Sequence, residues 1–411
     1  MRHRASSAFW RALLAAAAIG AAAAPGRAQE ILWSRTYGDA DAETAWAADN
    51  TADGGFVLFG YEDTASGDDF LLIKTDSEGN EEWSRTWGGG STDWGFSVRQ
   101  LPDQGFVVAG MFGTGSQIHD AYLARTDPQG NLQWSRQYGL PAVDERAHSV
   151  WPTADGGFVF VGQQRVGGVP FDSYDVWLVK TDASGNMEWD ALYARESFGN
   201  DIGLAVQETT GGGYIIGGLT QSSDWACYLL RTDAIGNLVW ANTYGGGSAG
   251  GECNDVLQTP DGGFVGTGCA TPSGDCDVFL VRTDADGNTL WERNHGGGAD
   301  DLGQSLRRLP DGGFAIAGQT GSEGAGGWDV YIVRTDAEGN ALWTQTFGGE
   351  SDDRGWQMLR TTDGHLAVAG WYASPGADWL DALLIKLNGR TPVFADGFES
   401  GDTSGWSATI P

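Results

Sequence analysis

Basic side chains are scarce in this chain. Of its 411 residues 24 are lysine or arginine against 55 aspartate or glutamate, a formal net charge of −31. Such a field repels phosphate backbones and anionic lipid, so nucleic acid and anionic membrane surfaces are poor partners, while cations, neutral glycans and basic protein patches remain open. Histidine is rarer still, with five residues. His119, His148, His295 and His365 are scattered over the chain at no metal-ligand spacing and form no cysteine–histidine arrangement for nucleophilic catalysis. Long apolar runs are limited to one, residues 12–24, and nothing later approaches the roughly 18 residues that span a bilayer. No membrane insertion is expected.

Residues 1–28 pair a basic start, Arg2 and Arg4, with that apolar run and a small-x-small ending at Gly26-Arg27-Ala28. They read as a secretory signal peptide cut before Gln29, so export to the periplasm or the extracellular space is expected. Cysteine stops at four, Cys227, Cys253, Cys269 and Cys276. Their spacing fits no common zinc pattern, and in an oxidising compartment they read as disulfide candidates. Cys269 and Cys276 flank one loop, but Cys253 also lies across a predicted hairpin from Cys269, so the pairing stays open.

Glycine is plentiful, at 65 residues, and it is placed with regularity. The phrase TDxxGNxxW occurs six times, closing on Trp83, Trp134, Trp189, Trp240, Trp291 and Trp343, and a further marked tryptophan, Trp33, precedes them all. A tandem period near fifty residues signals a propeller or solenoid. In the sixth repeat, strands are predicted over 303–309, 314–320, 329–335 and 342–347, joined by tight glycine-bearing turns and one Gly-rich loop, which makes a four-stranded antiparallel blade. The third strand is apolar on both faces in every repeat, so neighbouring blades must cover it. In TDxxGN the aspartate can accept backbone N–H bonds while Gly-Asn tolerates left-handed geometry, and the tryptophan opens an outer strand that packs on the adjacent blade.

Seven sets of first, second and third strands follow one another. The last lacks an outer strand, and the chain begins with an unpartnered one around Trp33. The expected fold is therefore all-β: a seven-bladed β-propeller of four-stranded antiparallel blades over residues 29–389, closed by the Trp33 strand on the last blade, with no exposed sheet edge left by an open array. A monomer is expected. Residues 390–411 form an acidic tail that reads as a sorting tag or a free end. The motif W-x-R-x-Y-G-G, DGGF and D-x-x-L-x-[KR]-TDxxGNxxW resembles the repeats of exported bacterial β-propeller proteins, some described as lipoproteins or as endoglucanase-like. That resemblance covers about residues 31–388 and implies blade geometry; it carries no active site.

Specificity in such a ring is expected on the face bearing the variable loops. Three groups of residues are directed there. Glu43, Asp93, Glu145, Asp201, Asp301 and Asp353 form an acidic column that would either hold calcium or cap backbone N–H groups, and its recurrence favours capping. Asp69, Asp120, Asp175, Asp277, Asp329 and Asp381 form a second column. Trp94, Trp225, Trp328, Trp356 and Trp379 break the repeat and are candidate ligand-binding residues, since aromatic faces beside carboxylates suit sugar rings. No cofactor other than calcium is implied. The expected role is a non-catalytic binding module for an extracellular protein or glycan. A polysaccharide hydrolase with a carboxylate pair on the same face and a purely structural surface protein are the alternatives.

Overall fold

A computed structural model describes residues 29–389 apart from 39–41, 66, 90, 116–117, 168–172, 196–198, 222–224, 246–249, 272–273 and 374–378. The signal-peptide and tail readings lie outside the described residues. Twenty-eight strands form seven four-stranded antiparallel sheets, and among the described residues there is no helix. The sequence is thus a seven-bladed β-propeller. The seventh sheet orders Ile31–Tyr37, Leu380–Leu387, Leu366–Ala373 and Asp353–Arg360, with Trp33 opposite Lys386. The first strand of the chain therefore completes the last blade. In the sixth blade the inner strand is Asp301–Arg308, starting two residues before its predicted position, because the acidic residue that opens it is already in the ladder.

Burial follows from the two-sided third strand. Its central column, Leu72, Leu123, Leu178, Leu229, Leu280, Ile332 and Leu384, is fully buried. There is no single core: seven apolar clusters each lie between two consecutive blades, the one joining blades 7 and 1 included. Every blade is stable only as a neighbour, as expected of a repeat that cannot bury its faces alone.

The TDxxGN turn has two reasons for its glycine. In blade 5 Asp284 accepts N–H bonds from Asp286 and Asn288, each at 2.9 Å, while Gly287 has φ of 80°. The same glycine is also a seat for the previous blade. A Cβ at Gly79 would stand 2.6 Å from the Trp33 ring, and the tryptophans of successive blades sit likewise on Gly130, Gly185, Gly236, Gly287 and Gly339. The tyrosine four residues after the tryptophan reaches the same carbonyl, as in Tyr37 Oη to Gly79 O at 2.8 Å. The base that ends the third strand pairs with the aspartate of the other tight turn, as in Lys74 with Asp53 and Lys180 with Asp155, both at 2.8 Å.

On the opposite face the blades meet through carboxyls. Asp93 accepts N–H bonds from Gly89 at 2.6 Å and Gly113 at 2.9 Å, and Asp353 from Gly349 at 2.7 Å and Ala373 at 2.9 Å. Both acids stand at the start of an inner strand, are buried, and tie the incoming loop to the second strand of their own blade. The third strand of the preceding blade brings a second carboxyl to the same place. A Cβ on Gly139 would stand 2.7 Å from Asp120 Oδ1 and 3.0 Å from Glu145 Oε2, and Gly38, Gly88, Gly296 and Gly348 are enclosed by acid pairs in the same way. At these five joints a side chain would meet both carboxyls, whereas the blade 3–4 joint, with Asp175 and Asp201, carries Ala194 at the same place. The joint between blades 4 and 5 has Ala226 and Gly251 in place of both acids, and the Cys227–Cys253 disulfide links those same two strands. Cys269–Cys276 staples a loop within blade 5.

Two predictions follow from the joints. Removing residues 29–38 is expected to leave the Leu380–Leu387 strand unpaired at its outer edge, lower the melting temperature and shift the chain to higher-mass species in size-exclusion chromatography. Unchanged melting would contradict the closure. The second concerns pH. Burial pushes the Asp353 carboxyl up to about 6 against its N–H bonds, with repulsion from Asp329 and Asp352 added, and burial raises Asp93, Asp120, Glu145 and Asp277 as well. Groups held above their unfolded value contribute fully below that value and lose the contribution as pH rises through the folded one. Asp53, Asp155 and Asp363 run the other way: burial opposes them, but hydrogen bonds from a lysine and a threonine hold them at about 2, so their contribution fades as pH falls through that value. Stability is expected to peak at about pH 4 to 5. Asp277→Asn should raise the melting temperature at pH 7 and leave it nearly unchanged at pH 4, as read by calorimetry; a lower value at pH 7 would contradict like-charge repulsion at the joint.

Candidate functional site

The inner strands, Glu43–Asn50, Trp94–Gln100, Glu145–Pro152, Asp201–Glu208, Gly251–Gln258, Asp301–Arg308 and Asp353–Arg360, surround the ring axis. Each slips register with its second strand at the same place, leaving one residue unpaired: Trp46, Phe96, His148, Leu204, Asn254, Gln304 and Trp356. A β-bulge re-aims the extra side chain. Here all seven line one axial cavity of about 160 Å³. The bulges fall three residues beyond the joint acids on the variable-loop face, so the cavity lies toward that end of the axis.

The seven residues are not distributed evenly. Blades 7, 1, 2 and 3 supply Trp356, Trp46, Phe96 and His148, an unbroken aromatic wall. Trp46 stacks on Trp356 at 5.7 Å and on Phe96 at 5.1 Å between centroids, and Phe96 lies 5.1 Å from His148. Trp94 packs edge-on against Trp46 at 5.2 Å, stacks on Tyr61 at 5.6 Å, and donates its indole N–H to Asp68 at 2.7 Å. The wall thus has a fixed backing. Burial, aided by Arg146, lowers the His148 imidazole to about 4, so it is neutral at physiological pH.

Blades 4, 5 and 6 supply Leu204, Asn254 and Gln304 on the other side. One step deeper, side chains satisfy the unpaired N–H groups of the next inner strand: Ser97 accepts from Val150 at 3.1 Å, Ser149 from Val206 at 3.3 Å, and Asp255 from Leu306 at 3.0 Å. Asp255 also takes Ser305 Oγ at 3.0 Å and pairs with Arg307 at 3.2 Å. Of the acids lining the cavity among the described residues, Asp255 stands alone, and it is fully engaged.

The expected ligand-binding tryptophans divide. Trp94 and Trp356 are brought together around Trp46 at the axial mouth. Trp225 and Trp379 remain apart on the loop face, 37% and 39% exposed, and Trp328 is packed by Arg354, which lies 5.4 Å above its ring and 5.3 Å from Trp371. The acidic column Glu43, Asp93, Glu145, Asp201, Asp301 and Asp353 lies in the blade joints, where five of its members accept backbone N–H bonds. Among the described residues no group of three or more histidine, cysteine, aspartate or glutamate side chains is placed to hold a metal ion. Trp46, Phe96 and His148 were not singled out by sequence reasoning. Their signal is a column three places after the joint acid in which residue type changes from blade to blade inside a constant frame.

No family model matches the chain. Among curated proteins it is similar to the regulatory protein FlaEY of Caulobacter vibrioides, at 29% identity over 110 residues, which cover 24% of this chain and 12% of that protein. The chain thus matches about an eighth of that relative's length. Among solved structures it is similar to an ulvan lyase of polysaccharide lyase family PL25, with a TM-score of 0.55 and 8% identity over 86% of this chain and 96% of the other. It is likewise similar to a protein of unknown function from Dyadobacter fermentans, with a TM-score of 0.53 and 13% identity over 89% of this chain and all of the other. At these identities the structural likeness shows the fold, a propeller ring, and nothing finer.

Proposed function

We propose that this chain is an exported, non-catalytic binding module whose ligand enters from the variable-loop face and seats on the aromatic wall of the axial mouth. One observation carries the reading. The bulge column points a side chain at the axis from every blade, and its identities vary while the frame around it repeats; a frame is repeated for folding, and a varied column inside it is where selectivity resides. The two disulfides suit an oxidising compartment, in keeping with the export signal read in residues 1–28. Five carboxyl pairs on that face are engaged inside the blade joints against glycine backbone, which supports binding over catalysis.

The test is retention on insoluble glycans and on immobilised extracellular proteins, with release of reducing sugar followed in parallel. Trp356→Ala is expected to lose retention at least tenfold, the usual cost of an aromatic anchor at a binding site, while Trp225→Ala and Trp379→Ala retain it. Reducing sugar should stay at the level of the blank. Retention that depends on Trp225 or Trp379 and not on Trp356 would move the site to the loops, and steady sugar release would make the protein an enzyme.

A further inference from the structure

The chemistry of the axial mouth narrows its ligand, given the reading of that mouth as the binding site. We infer that it holds a single uncharged pyranose ring, the terminal unit of a neutral glycan. A pyranose has an apolar C–H face and a rim of hydroxyls, and the cavity has the matching halves. Trp356, Trp46 and Phe96 form one wall, each partly exposed. Facing them are carboxamides with unused capacity. Gln304 makes no hydrogen bond to protein among the described residues. Asn254 spends its N–H donors on Glu252 at 2.8 Å and on the Gly303 carbonyl at 3.0 Å, so its carbonyl oxygen is the group it has left to offer. Ser97 and Ser149 accept backbone N–H groups and keep their own hydroxyl protons to donate.

Charge and size argue in the same direction. The ionic groups at the cavity are Arg99 and Asp255. Arg99 lies over the Trp151 ring at 5.5 Å and donates to the Val98 carbonyl at 3.0 Å, and Asp255 is tied to Arg307. Asp255 is thus spent within the protein, and the net charge of −31 disfavours uronates and sulfated sugars. At about 160 Å³ the cavity suits one six-membered ring with its substituents, so a longer ligand would enter by one unit. Trp46 and Trp356 have buried indole N–H groups without a protein acceptor, so stacking alone positions these rings and lets them adjust to a sugar face, in contrast to the anchored Trp94.

The experiment titrates the purified chain with glucose, galactose and mannose, their methyl glycosides, glucuronate and indole, followed by tryptophan fluorescence and calorimetry. At least one neutral hexose should bind with a Kd near the millimolar range, its methyl glycoside equally well, as a terminal unit requires. Gln304→Ala should weaken that binding about tenfold, as expected for lost hydrogen bonds, with the melting temperature unchanged, and Trp356→Ala should abolish it. Preference for the free sugar over its glycoside would overturn the terminal-unit assignment. Binding of indole alone, or of glucuronate above the neutral hexoses, would overturn the sugar class while leaving the axial site in place. Absence of any binding together with retention on a polymer that survives Trp356→Ala would remove both the class and the site.

Discussion

Five of the seven joints between blades on the variable-loop face are closed by two carboxyls that converge over one glycine. Asp93 and Asp353 take N–H bonds from the loop before them and from their own second strands, so the position of the inner strand depends on them. The acid from the preceding blade then comes close enough that no side chain fits between them, as at Gly139 between Asp120 and Glu145. Burial raises the carboxyls of Asp93, Glu145, Asp277 and Asp353, and repulsion from the paired acid adds to it at each. The blade 4–5 joint shows that the two acids belong together: both are absent there, and Cys227–Cys253 crosses in their place. A covalent link and a pair of carboxyls are thus alternative ways to fasten the same two strands.

From this joint the rest of the ring can be followed along one strand. Three residues beyond the acid comes the bulge, and its side chain is turned to the axis because the ladder skips it. The joint keeps its acid in six of the seven inner strands while the bulge varies in type, so one strand serves fold and ligand without conflict. On the far face the tryptophan and tyrosine of one blade lie on the turn glycine of the next, which fastens the blades at their outer rims. With clusters of apolar side chains between every two blades, the ring is held from axis to rim by contacts between neighbours.

How much of this was legible in the sequence can be argued from particular residues. The blade number and the Trp33 closure follow from a count of third strands and a surplus outer strand, and both are seen. The turn aspartates were legible because TDxxGN contains donor and acceptor within four residues. The pairing of Cys253 was not. Cys269 is close to it across the hairpin, but Cys253 stands opposite Gly268 and Cys269 opposite Glu252, so the two side chains point to opposite faces of the sheet. The acidic columns were found, and capping was preferred, but that the columns meet in pairs depends on which blades are neighbours in space. Trp46, Phe96 and His148 escaped because a bulge leaves no mark in residue type: an alternating strand and a bulged one look alike until the register is known.

The most direct test of the account is the titration of the Asp353 carboxyl, by NMR of the labelled side chain, in the wild-type chain and in Asp329→Asn. If the joint acids act as a pair, Asp353 titrates near 6 in the wild type and moves toward the ordinary aspartate value when its neighbour is neutral. An Asp353 that titrates identically in both chains would mean that the two columns are independent caps, and the pairing on which this account of the joints rests would be wrong.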